Sequence, residues 1–353
     1  MKKIYSKLDN FTGFVPNLSF FFSSNFLTQL TSFVVILLFA RNYSSIEFGK
    51  FTVAQTIFFL LYSLSFSNIH YYLNKSLSEN FQNRRKEIGS CFLITFYTSF
   101  LLYILLAFFL NFLNLDKELK YLILIINLIL IVEPFSIFYS EIFIRGQFKT
   151  IFKIKIIQNL IFFSLKFLVI INKFNYLYVA VCYLFEYIFF AGIIIYYYKK
   201  NGNQFSKLVF NFSETYKLIK KIFLLPVLSL IFLISIRIDV LMIGKLVDIE
   251  SSGFYSSASR LVIIVLLYST LLLQFLYPNM ARLKTDNLKL ADIYQNLISL
   301  AILVGFSFFI FSYFFSELYL SLFGFEFLIA KEALLILSFN LLFALIYNVW
   351  VHK

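Results

Sequence analysis

Apolar runs of about twenty residues recur along this chain from residue 18 to residue 351, and each is long enough to cross a hydrocarbon core of roughly 30 Å as a helix. The chain is 61% hydrophobic and 14% charged over 353 residues, with a mean hydropathy of +0.84. No water-soluble domain of this length sustains such values. Barrel strands would be shorter and would alternate in polarity, so the pattern predicts an all-α integral membrane protein. Ten spans are expected, over residues 18–40, 48–73, 89–112, 119–139, 154–171, 176–198, 222–244, 253–277, 293–316 and 333–351. The first has a basic start but too long an apolar stretch for a cleavable signal. The 50 Phe and 24 Tyr read as codon bias and lipid-facing bulk rather than as an aromatic site. Pro134 and Pro226 are expected to kink their spans, because proline removes a backbone hydrogen bond.

Lys and Arg divide unevenly between the two sides of such a bundle. The side with both termini holds 21 of them and the other side 7, the remaining three lying inside spans. The positive-inside tendency then places both termini in the cytoplasm, and the net charge of +13 follows from this asymmetry without any nucleic-acid partner. The longest connection on the basic side, KKNGNQFSKLVFNFSETYKLIKK over residues 199–221, mixes bases with Phe and Leu. It is expected to be an amphipathic helix lying on anionic membrane lipids, and a linker between bundles. Cys91 and Cys182 stand apart, with no CxxC or His spacing beside them, so neither a metal nor a redox cofactor is implied.

One stretch recurs. LFARNYSSIEFGKFTVAQTI, from Leu38, aligns without a gap on MIGKLVDIESSGFYSSASRL, from Met242. Arg41 falls on Lys245, Gly49 on Gly253, Phe51 on Tyr255 and Ala54 on Ala258, all at an offset of 204 residues. Each copy reads as a hairpin whose return helix opens at a glycine. Six spans separate the copies, so both hairpins face outward and the implied symmetry axis runs along the membrane normal, as in transporters built from parallel repeats. The expected organisation is a six-helix bundle over residues 1–198, a linker over 199–221 and a second bundle over 222–353. Subtracting the offset from the last residue gives Lys149, just past the fourth span, so the second bundle is expected to hold four of six helices.

These hairpins, together with EIFIRGQFK (Glu141 to Lys149), the stretch from Arg237 through Asp239 to Leu261, and Pro278 at the end of the eighth span, resemble the Wzx-type polysaccharide and O-antigen flippases of the MOP superfamily, to which the MATE exporters also belong. The resemblance covers nearly the whole chain. It implies two bundles opening alternately to either side of a bacterial cytoplasmic (inner) membrane, with undecaprenyl-diphosphate-linked oligosaccharide for O-antigen or capsule as cargo. Polymerase and chain-length proteins of the same pathway are the implied partners. Family members usually carry twelve or more spans, so a decayed or truncated relative is among the expectations.

Six ionisable residues fall inside the expected spans: Glu133, Lys166, Glu186, Arg237, Asp239 and Arg260. Each would cost about 2.5–3.5 kcal/mol at a helix centre facing lipid, so each is expected to meet a partner or a wet cavity. Asp239 and Arg260 lie at similar depth on adjacent antiparallel helices, where an ion pair stapling the hairpin is feasible. Arg237, Arg260 and Lys166 are candidates for a cationic path that accepts a diphosphate, since an anion leaving water needs compensating charge. For Lys166 the alternative is snorkelling to the interface. Glu186, Glu133 and Asp239 are candidates for coupling to a proton or sodium ion, or for structural charge.

No Walker A, GxSxG, HExxH or paired-cysteine motif occurs, so neither ATP hydrolysis nor hydrolytic chemistry is evident, and the chain reads as a transporter rather than an enzyme. A MATE-like exporter of cations would want a net acidic cavity, whereas the six internal charges are balanced. A membrane polymerase or glycosyltransferase usually needs a sizeable external loop, and the longest connection on that side spans only residues 317–332.

Overall fold

The computed structural model describes residues 2–79, 83–203, 208–210, 212–282 and 287–351. Among these residues there is no strand, and ten helical stretches are long and apolar enough to cross a membrane. They coincide with the ten expected spans, each within a few residues except where the helix runs on. The first helix, α1 (Lys2–Asn42), is one such case. Another is α12 (Ile249–Arg282), which passes through Pro278 instead of ending there.

By internal contacts the chain forms two units. One is Met1–Asn42 with Val53–Asp239, and the other is Tyr43–Thr52 with Val240–Lys353. This division falls at 239 and not in the 199–221 linker, so contacts and the expected repeat cut the chain at different places.

In the first unit two spans are broken. The second span is α2 (Ser45–Leu64) followed by α3 (Ile69–Glu79), with a turn between them in which Phe66 adopts φ +60°. The segment SLSFSN supplies the groups that a broken helix needs in lipid. Ser65 and Ser67 donate to the Tyr62 carbonyl at 2.8 and 2.5 Å. The Ser65 carbonyl accepts from Thr98 at 3.0 Å on α4 (Arg84–Phe112), and Asn68 donates to Ser229 at 2.6 Å. The fourth span comprises α5 (Lys117–Asn127), α6 (Ile129–Val132), a 3-10 turn over Glu133–Phe138 and α7 (Tyr139–Ile144). Pro134 sits in the first turn of that 3-10 segment, as its missing N–H predicts. Around these breaks, α1 packs along α8 (Phe148–Ile171), and α8 packs on α9 (Leu177–Lys200).

Pro226 kinks nothing. The seventh span begins later than expected, at α11 (Leu224–Leu246), and Pro226 occupies its first turn, where the lost N–H has no intrahelical acceptor anyway. The linker helix also differs from expectation. Residues 204–207 and 211 lie outside those described, but α10 (Phe212–Ile222) buries Thr215, Leu218 and Ile222. Leu218 and Ile222 join a protein core with Leu73, Ile88, Cys91 and Tyr198. Of the linker's other apolar residues Leu208 is buried, whereas Val209, Phe210 and Phe212 are exposed, so protein covers one side of the linker and apolar surface remains on the other. Lys86 and Glu214 tie α10 to α4 at 3.2 Å.

The second unit holds unbroken helices: α12, α13 (Asn287–Ser321) and α14 (Lys331–Val351), the last preceded by a 3-10 turn over Phe325–Ala330. α13 and α12 both pack on α14. Fully buried Phe48 meets Phe323 and Phe327 edge to face, with the Phe48 and Phe327 centroids 5.4 Å apart at 88°, a favourable quadrupole arrangement. The outer faces of both units carry exposed aromatics, including Phe108, Phe112, Phe306 and Phe314, as lipid-facing bulk should.

The repeated hairpins meet within this second unit. A Cβ on Gly253 would lie 3.1 Å from the Ser45 carbonyl oxygen and from the Gly49 nitrogen, and one on Gly49 would overlap the Ile249 carbonyl. The offset of 204 turns Ser45 into Ile249 and Gly49 into Gly253, so each copy presents to the other the surface it receives, the reciprocity of a two-fold contact. Both helices are also capped at the same repeat position. Ser44 and Glu47 exchange bonds in a capping box, and Asp248 accepts from the Ser251 N–H at 2.6 Å, each fixing the first turn. Of the remaining motif positions, Phe51, Ala54 and Ala258 are buried, Tyr255 is half-buried, and Arg41 and Lys245 are exposed.

Candidate functional site

The two breaks in the first unit bring polar side chains together inside the apolar zone. Glu133, Ser136 and Ser140 follow at i, i+3 and i+7, one face of the fourth span. Oε1 of Glu133 accepts from the Ser136 hydroxyl at 2.9 Å and from the Tyr62 hydroxyl at 3.1 Å. His70, in the first turn of α3, places Nε2 3.0 Å from Ser136 Oγ and Nδ1 2.9 Å from Ser140 Oγ. A chain of hydrogen bonds therefore runs from Tyr62 through Glu133, Ser136 and His70 to Ser140, joining the second span to the fourth. Ser65, Ser67, Thr95 and Ser99, with Pro134 and Ile137, complete the lining of a small pocket there. Glu133 was a sequence candidate and His70 was not. The available signal was the serine cluster SLSFSN, which interrupts an apolar run just before His70.

A second cluster joins two residues to which sequence assigned separate roles. Lys166 on α8 forms an ion pair with Glu186 on α9, and its ammonium lies 3.4 Å from the Tyr183 ring centroid. The Lys166 side chain is only 6% exposed, so it does not snorkel, and its charge is matched within the protein. This is the arrangement an internal base needs when it faces neither water nor a headgroup.

The third cluster explains the EIFIRGQFK segment. Glu141 is fully buried, and its Oε1 accepts from Arg145 Nη2 at 2.6 Å and Nε at 2.9 Å, and from Asn203 at 2.8 Å. Arg84 Nε stands 4.0 Å away. One carboxylate thus holds the ends of α4, α7 and α9 together on the side with the basic excess. Gly146, with φ +68°, turns the chain from α7 into α8, a backbone conformation that favours glycine.

Arg237 lies half-buried on α11 with its guanidinium carbon 4.7 Å from the Phe59 ring centroid, a cation–π distance. Arg260 lies on α12, 5.9 Å from the Phe48 centroid. Asp239 and Arg260 fall in different units, and their ion pair remains a proposal. Among the described residues no group of three or more His, Cys, Asp or Glu is placed to hold a metal. Cys91 is buried in the first unit's core.

Long apolar helices, two of them broken around internal ionisable groups, define a multi-pass membrane protein built like a transporter. The sequence matches the family described as polysaccharide biosynthesis protein over residues 14–284, and the chain belongs to that family. Its fold is similar to a solved structure titled an inward-facing conformation of a multidrug resistance MATE family transporter of the MOP superfamily. The TM-score is 0.60 and the identity 12%, over 92% of this chain and 78% of that one. No curated protein sequence matches. Family and fold support a membrane translocase.

Proposed function

We propose that the protein carries a lipid-linked oligosaccharide from the cytoplasmic to the outer leaflet of a bacterial inner membrane by alternating access, with both termini cytoplasmic. The observation that carries this reading is the family match over residues 14–284, which names the pathway. The MATE-like fold supplies a scaffold that moves cargo without chemistry of its own. In the proposal Arg237 and Arg260 line the path of the diphosphate, because a headgroup leaving water needs cationic partners. Lys166, already matched by Glu186, is instead a structural member of that seam. Asp239 balances one of the arginines. The two bundles are the repeat halves, 1–198 and 222–353.

The test is the profile of undecaprenyl-linked sugars, assigned by leaflet, in cells lacking the gene and in cells carrying Arg237→Ala. Accumulation of completed units on the cytoplasmic leaflet is expected in both. An unchanged profile in the deletion strain would contradict the proposal, and single units accumulating outside would indicate a polymerase. Export of small molecules is the second reading, favoured by the solved MATE structure this fold resembles. Exchange of ethidium-like dyes separates the two.

A further inference from the structure

Glu133 and His70 come from different spans and are joined through a single hydroxyl. That hydroxyl fixes a direction. Ser136 gives its proton to Glu133 Oε1 at 2.9 Å, so its oxygen is left to accept the Nε2–H of His70 at 3.0 Å. The ring then turns an Nδ1 lone pair to Ser140 Oγ at 2.9 Å, and Ser140 donates. In this state the pair carries one negative charge, the carboxylate.

A proton arriving at Nδ1 can be absorbed along the same chain. Nδ1–H then donates to Ser140, the Nε2 proton passes to Ser136, and the Ser136 proton passes to Glu133. The products are a neutral imidazole and a neutral carboxylic acid, with one proton bound and every hydroxyl still bonded. In an apolar zone, where each uncompensated charge is expensive, this relay discharges the carboxylate, which in the empty state is held by the Ser136 and Tyr62 hydroxyls.

We infer that Glu133 and His70 form one proton-binding site, and that its filling and emptying links translocation to a proton gradient. The link to transport rests on the translocase reading, whereas proton binding does not. Other titratable groups stand on the elements packed around the pair. Tyr62 of α2 donates to the same carboxylate oxygen, and Tyr187 lies on α9. Tyr72 of α3 is bonded to Glu87 of α4, on which Cys91 also lies. On the fourth span Glu141 is held by Arg145, and on α9 Glu186 is held by Lys166.

The test uses the full-length protein in lipid nanodiscs with no cargo. The chain has two histidines, so His352→Gln leaves His70 as the one imidazole read by 15N NMR, while infrared spectroscopy reads the C=O stretch of a protonated carboxyl. As pH falls, both probes should report one transition with a common midpoint: the carboxylic-acid band appears while the imidazole changes tautomer and stays neutral. Glu133→Gln should remove the carboxylic-acid band and move the imidazole transition by about one pH unit or more, as coupled groups require. His70→Gln should move the infrared transition. The inference is overturned if neither group changes protonation, if the two titrate independently, or if the transition follows sodium at fixed pH. Proton binding in a protein that moves no lipid-linked sugar would sink the translocase reading and leave this site standing; sugar movement without proton binding would do the reverse.

Discussion

The two halves that the 204-residue offset relates, 1–198 and 222–353, differ in chemistry. The offset that superposes the hairpins carries the second span, Ser45–Ser78, onto α12, and α4 onto α13. It also carries the break around Glu133 onto the middle of α14. Yet Tyr62 becomes Leu266, His70 becomes Gln274, Glu133 becomes Leu337 and Pro134 becomes Ser338. Both broken spans have continuous counterparts. Once the proline and the serine cluster are gone, the backbone has no reason to leave the helix. Once the carboxylate and imidazole are gone, no polar chain needs housing. The first half breaks two spans and houses Glu133 and His70 at the breaks, whereas the helices at the equivalent positions of the second half run through.

Variants can break this comparison in a graded way. The largest effect is expected in the first unit, at Lys166→Met, which strands Glu186 in an almost buried site and should cost about 3–5 kcal/mol. The double variant Lys166→Met with Glu186→Leu should recover most of that loss. Thermal unfolding of single and double variants in detergent measures this coupling, and a double variant as unstable as the single would refute it. Next comes the shared contact. Gly49→Ala drives a methyl into the Ile249 carbonyl and should destabilise by about 1–3 kcal/mol. Gly253→Ala, whose nearest atoms are at 3.1 Å, should do less, so equal losses at the two positions would argue against the asymmetry. Glu141→Gln keeps an acceptor for Asn203 but removes the charge facing Arg145 and should cost about 1–2 kcal/mol. That loss is moderated because Arg145 is 30% exposed. The smallest effect belongs to Pro226→Ala, expected within about 0.5 kcal/mol, against a larger structural response at Pro134→Ala, where the 3-10 turn can revert to helix. Hydrogen exchange across residues 128–140 reads the second, and protection unchanged there would contradict the role given to Pro134.

Much of this was legible in the sequence. Span number followed from apolar run length, and the break at Pro134 from the missing N–H. The hairpin repeat followed from the glycine, aromatic and alanine spacing. Three things were not. Residues 65–68 break a helix without proline or glycine: the Ser65 and Ser67 hydroxyls bond the Tyr62 carbonyl, while the Ser65 carbonyl and the Asn68 amide find partners in Thr98 of α4 and Ser229 of α11. The pairing of Lys166 with Glu186 requires knowing which faces of α8 and α9 meet, which the residue pattern of either helix alone does not say. His70 is a lone histidine in a span, and only the fold brings Ser136 and Ser140 to its two nitrogens. The seventh helix begins at Leu224 and not at Ile222, which puts Pro226 in its first turn, a difference of two residues that apolar run length does not resolve.

The central claim is that this chain moves a lipid-linked sugar between leaflets. Its most direct test is to rebuild the purified protein into vesicles loaded on one leaflet with an undecaprenyl-diphosphate oligosaccharide, and to follow the sugar's exposure to an impermeant lectin on the other side under an imposed pH gradient. The account predicts exposure that requires the protein, responds to the gradient, and loses that response in Glu133→Gln. Exposure no faster than in protein-free vesicles would contradict it.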